Sequence, residues 1–250
     1  MACITREIVA KSILSRSGIS GINYCVNPYV GCGHGCVYCY ATFMKKYTGH
    51  TEPWGSFVDV KINSPVLLRK ALTRAAPGTI IMSSVTDAYQ PVEKKYGITR
   101  ACLEVLVDTP FHCDLLTKSP LVLRDMDLLK GYHNIEVGLT ITTDDEAMRR
   151  LFEPKAPPIR ERIGALKTLH ENGIGTYVFV GPLLPMNPDV LAKMVFPYVD
   201  RVLIDRMNYA SKTALLYRKA GLQKWLDPEF VDEIIERLKE NLAGKSIDLC

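Results

Sequence analysis

Asn27-Pro28-Tyr29-Val30-Gly31-Cys32-Gly33-His34-Gly35-Cys36-Val37-Tyr38-Cys39-Tyr40 carries three cysteines at a C-x3-C-x2-C spacing. Three thiolates this close can hold three irons of a [4Fe–4S] cube, and the interleaved glycines let the backbone curl round it without Cβ clashes. One iron is then left without a protein ligand, which suits a chelating cofactor better than a pure electron carrier. A zinc site built from Cys32, Cys36, Cys39 and His34 is the competing reading. Against it, structural zinc usually takes ligand pairs from two separated knuckles.

The chain around this loop has 250 residues, enough for one large domain with a substantial core. A formal charge of +4 is compatible with an anionic partner and does not require one. No run approaches the roughly 18 apolar residues that span a bilayer, and the first residues lack a basic lead into an apolar core, so a cytoplasmic enzyme without membrane attachment is expected. Eight cysteines in such a chain read as metal ligands plus buried thiols, Cys25 among the latter.

Outward from the loop, residues 1–21 read as a loosely structured lead-in. Ile22 to Val26 reads as the strand that delivers the chain into the cysteines, and Phe57 to Ile62 as an alternating strand. Ser64 as N-cap and Pro65 open a helix that Pro77-Gly78 stops. Apolar strands then alternate with amphipathic helices: Thr79–Ser83, Phe111–Leu116, Ile135–Leu139, Thr176–Val180 and Arg201–Ile204. Each strand ends in polar residues. This is the pattern of right-handed βαβ crossovers on a parallel sheet, where ligands sit at the carboxyl ends of the strands. Six such units are too few to close an eight-stranded barrel. Residues 207–250 read as a helical cap with a stripe of Phe230, Ile234, Leu238 and Leu242.

The cysteine spacing with Tyr38 before the third cysteine, and the Tyr38-Cys39-Tyr40 run, resemble the radical SAM superfamily and within it the spore photoproduct lyase-like group. That resemblance implies an α/β fold, an open (β/α)6 partial TIM barrel over 22–206 with the C-terminal helical cap. It implies a [4Fe–4S] cluster on Cys32, Cys36 and Cys39, with S-adenosylmethionine (SAM) bound at the open iron and split reductively to a 5′-deoxyadenosyl radical. An external one-electron reductant of the flavodoxin or ferredoxin type is implied as partner, and DNA is a possible substrate. The strand ends offer Ser83, Asp87, Lys118, Ser119, Thr140 and Thr142, with Tyr38 and Tyr40, as SAM contacts. By the resemblance Lys118 reaches the methionyl carboxylate with Ser119 and Thr140 nearby, although strand-end serines also cap helices. Glu153, Arg160 and Arg162 are candidates for a polar wall or a surface ion pair. The lyase returns a hydrogen atom from a cysteine just before a Thr-Ser-Asp, and aligning that aspartate with Asp87 puts Ser84 at the cysteine's place. An alcohol O–H is too strong to serve as readily, so a relative acting on another substrate is expected.

Overall fold

In the computed structural model, which describes residues 3–250, the chain splits at Asn27 between two sheets. Its strands are β1 (Ile4–Ile8), β2 (Leu14–Arg16), β3 (Tyr24–Val26), β4 (Tyr29–Val30), β5 (Phe57–Lys61), β6 (Thr79–Met82), β7 (His112–Thr117), β8 (Ile135–Thr140), β9 (Gly175–Val180), β10 (Arg201–Ile204) and β11 (Ser246–Leu249). The large sheet runs β11-β10-β9-β8-β7-β6-β3-β2, and every pair in it is parallel except β2 with β3. Its ends do not meet, so the barrel is open. β3 and β6 to β10 are the six strands of the expected partial barrel.

Alternation sets the core. Ile80, Met82, Cys113, Leu115, Val137, Leu139, Val178, Val180, Val202 and Ile204 are buried, and between the last strands helix Ile159–Glu171 presents Ile159, Ala165, Leu166 and Leu169 to the interior. Helix starts follow their capping residues. Asn187 Oδ1 accepts the N–H of Asp189 at 3.0 Å ahead of Pro188–Val195, and Asp145 Oδ1 accepts that of Ala147 at 2.6 Å ahead of Glu146–Phe152.

Four expectations need correction. The lead-in is not loose: β1 pairs in parallel with β5 from Ile4 opposite Phe57, and β2 pairs with β3. Polar Thr5, Arg6 and Glu7 hide β1 from an apolar-pattern reading because it is an exposed edge strand. The strand from Phe57 does not join the barrel but makes a separate sheet, β1-β5-β4, with the short β4 antiparallel to it. The carboxyl-terminal cap is not wholly helical, since β11 adds to β10 in parallel after helix Pro228–Asn241. Finally, Asn63 rather than Ser64 caps helix Ser64–Leu72; Ser64 Oγ instead donates to the Lys61 carbonyl at 2.7 Å.

Among the described residues no helix is long and apolar enough to cross a membrane.

Candidate functional site

The cysteine loop lies where the two sheets diverge, between β4 and the one-turn helical stretch Tyr40–Tyr47, at the carboxyl end of the parallel strands. A glycine at 31 is required: its φ is +87°, and a side chain there would run into Phe57 of β5. The turn after β6 reaches up to clamp the loop. Gln90 Oε1 accepts the Gly33 N–H at 2.8 Å, its Nε2 donates to the Gly31 carbonyl at 3.2 Å, and Thr86 Oγ1 donates to the same carbonyl at 2.6 Å. Gln90 is wholly buried and sequence reading missed it, because nothing local distinguishes it from other turn polar residues.

Asp87, also on this turn, is buried and fully partnered. It accepts from Tyr89 N at 2.8 Å, Thr117 Oγ1 at 2.6 Å and Lys118 N at 2.8 Å. His34 Nε2 stands 3.3 Å from its other face, within ion-pairing range but off the line of a hydrogen bond, and His34 Nδ1 meets no partner. Burial works against the charge of Asp87, yet the His34 imidazole, the Thr117 hydroxyl and the Lys118 N–H hold its carboxyl well below the ordinary range. Asp87 therefore ties the cysteine loop to the ends of β6 and β7.

A second buried carboxylate completes the floor. Glu153 has no solvent exposure and receives Arg162 at 2.5 Å, the Thr142 hydroxyl at 3.1 Å and the Tyr38 hydroxyl; Lys118 Nζ lies 3.8 Å away and also faces the Tyr38 ring. Desolvation opposes ionisation of Glu153, but Arg162 and Lys118 outweigh it and bring its pKa down to about 2. Arg162 also donates to the Thr140 carbonyl at 3.0 Å.

The candidates thus divide. Tyr38, Lys118, Thr142 and Glu153 with Arg162 form one network beside the cysteines; Asp87 anchors the loop. Thr140 is buried and takes part through its backbone. Ser119 is a helix cap: its Oγ accepts the Leu121 N–H at 3.3 Å. Tyr40 is at the rim, 40% exposed, stacked on Tyr209 at 6.1 Å and donating to the Ser84 carbonyl. Ser83 has a φ of 73° and a buried Oγ with no partner, so it holds an unfilled hydrogen-bonding capacity in a strained backbone at the end of β6. Arg160 faces solvent and stays outside the network.

The donor set fits a cluster better than a single ion. No three His, Cys, Asp or Glu side chains among the described residues converge on one metal position, and His34 is turned to Asp87. The thiols are separate, and burial pushes Cys36 up to about 12 and Cys32 well beyond its ordinary value. Three buried thiolates need a strongly cationic centre to exist together, which iron–sulfur ligation supplies with release of their protons.

These features define a class. The radical SAM superfamily profile matches residues 26–195, and the chain belongs to that superfamily of radical enzymes, whose membership implies SAM and an iron–sulfur cluster. It is 45% identical to an uncharacterized protein of Methanocaldococcus jannaschii over 96% of both chains. It is 25% identical to the radical SAM Nalpha-GlyT isomerase of Pseudomonas phage M6 over 87% of this chain and 46% of that one. In fold it superimposes on spore photoproduct lyase complexed with dinucleoside spore photoproduct, with a TM-score of 0.72 and 12% identity, covering 98% of this chain and 82% of the other. This is the expected spore photoproduct lyase-like architecture.

Proposed function

We propose that Cys32, Cys36 and Cys39 hold a [4Fe–4S] cluster and that the chain is a radical enzyme abstracting hydrogen from a substrate other than a spore photoproduct. The observation that carries this is the convergence of three unbridged cysteines with the Lys118–Glu153–Arg162 network at the carboxyl end of an open parallel sheet. Bound together, the cluster and SAM supply a 5′-deoxyadenosyl radical once an external one-electron donor has acted.

The chain's own residues have readable roles. Lys118, kept charged by Glu153, is the cation for the methionyl carboxylate. The partnerless Ser83 Oγ is a hydrogen-bonding group for the amino-acid head, and Thr142 and Tyr38 hold Glu153 in place from the other side. Asp87 and Gln90 fix the loop that carries the cysteines, so that the open position faces the strand ends.

Cys32→Ala is expected to bring iron uptake after anaerobic reconstitution from about four per chain to a small fraction of that, and to abolish 5′-deoxyadenosine formation with SAM and dithionite. Full iron loading or retained cleavage in the variant would overturn the ligand assignment.

Repair of a pyrimidine lesion in DNA is the second reading, favoured by the likeness to a lyase holding a dinucleoside photoproduct. Ser84 weighs against it. Its Oγ accepts a hydrogen bond from Asn27 at 3.2 Å, and it offers no thiol hydrogen to a product radical. Turnover of a synthetic thymine-dimer lesion by the reconstituted protein decides between them.

A further inference from the structure

Trp54 has no part in the network above, yet its indole N–H is sealed from solvent and meets no oxygen or nitrogen acceptor. A buried N–H left without an acceptor costs about 1–3 kcal/mol, and buried indoles normally find a partner. Trp54 is also held against the cysteine loop with little freedom to move. A Cβ on its neighbour Gly55 would fall 2.6 Å from the Gly35 Cα, so two bare backbones touch between the Trp54 loop and the cysteine loop. Lys155 closes that contact, its N–H donating to the His34 carbonyl at 3.3 Å and its Nζ to the Gly55 carbonyl at 2.7 Å. The indole stands edge-on to Phe57 at 5.8 Å, and Phe57 is stacked at 4.1 Å on His50, whose ring nitrogens lie 2.9 Å from Asp59 and from Glu52.

The acceptor facing this N–H is the sulfur of Cys39. Burial pushes the Cys39 thiol up, and Trp54 is among the groups that oppose the rise. Cys32 and Cys39 also face backbone N–H groups, of His34 and Ala41, which belong to any loop of this shape. The indole is different in kind: a side-chain donor brought from outside the loop.

We propose that Trp54 Nε1–H donates a hydrogen bond to the Cys39 thiolate and is a positioning residue that raises the reduction potential of the cluster. This rests on the cluster assignment proposed above. Adding an electron makes the centre more negative, and a donor aimed at a ligand sulfur stabilises that state. The electron comes from the external one-electron donor, for which dithionite stands in below.

The test is an EPR-monitored potentiometric titration of anaerobically reconstituted wild type and Trp54→Phe, with iron per chain measured first. The expected result is unchanged iron and a more negative midpoint. At the potential that half-reduces wild type, the reduced-to-oxidised ratio falls about threefold to tenfold, tenfold being 59 mV for one electron. If Trp54→Phe does not load, β-(3-benzothienyl)alanine placed at 54 in a Trp225→Phe background keeps the bicyclic shape and removes only the donor. An unchanged midpoint in a loaded variant overturns the proposal. So does loss of iron from both variants when wild type loads, since Trp54 would then be a plain structural support. Failure of wild type itself to take up about four irons overturns the cluster reading instead.

Discussion

Glu153 and Asp114 are both buried carboxylates beside the same parallel sheet, and their environments drive them in opposite directions. Glu153 sits at the carboxyl end with Arg162, Lys118, Thr142 and Tyr38 around it, and its pKa falls to about 2. Asp114, within β7, accepts the Tyr177 hydroxyl at 2.5 Å and has Glu136 beside it across the ladder, so burial dominates and its pKa is raised. The Tyr177 ring fills the space over Gly138, with Arg201 4.7 Å from its centre. One carboxylate is held charged next to the cysteines by two cations; the other is closed over by an aromatic ring. Burial alone therefore does not mark a functional acid on this sheet. The number of cations committed to it does.

The largest effect that would break this contrast is at Glu153. Its pKa is depressed from an ordinary 4.5 to about 2, so its contribution to stability is present above pH 4.5 and lost as pH falls towards 2. Glu153→Gln is expected to cost on the order of 3 kcal/mol at pH 7 in urea denaturation and to flatten that acid limb, leaving Arg162 buried without its counter-charge. A loss below about 1 kcal/mol would show that the network is not charged.

Lys118→Met tests the functional side of the same cluster. SAM binding is expected to weaken on the order of 10- to 100-fold by equilibrium dialysis, the value of a charge-assisted hydrogen bond, with iron content unchanged. Equal SAM affinity in the variant would leave Lys118 a purely structural partner of Glu153.

The smallest effect is expected at Asp114. A raised folded pKa gives stability below the unfolded value and withdraws it as pH rises through the folded one. Asp114→Asn should therefore match or exceed wild type at pH 7 and lose that advantage near pH 4. A destabilisation of more than about 1 kcal/mol at neutral pH would mean that Asp114 is ionised and needed so.

Much of this was legible in the chain because the relevant signals are local. The cysteine spacing, the strand-end polar clusters and the 3.6-residue stripes define the loop, the parallel sheet and its helices. Arg162 was also within reach: it lies three residues after Ile159 and four before Leu166, on the apolar stripe of its helix, where an unpaired charge is untenable. Its partner Glu153 looked like part of a proline-rich turn. What could not be read was long-range pairing. The second sheet depends on Ile4 meeting Phe57, Gln90 acquires its role from carbonyls of a loop 59 residues away, and the apposition of Gly35 and Gly55 has no signature in either stretch.

The three-stranded side sheet bears on the order of events during synthesis. β1 emerges first but has no partner until Phe57–Lys61 has followed, by which time Cys32, Cys36 and Cys39 have already left the ribosome. At about 5–20 residues per second, Glu153 and Arg162 arrive several seconds later still. The cysteines thus spend an interval as free, solvent-accessible thiols on a nascent chain, before the groups that enclose them exist.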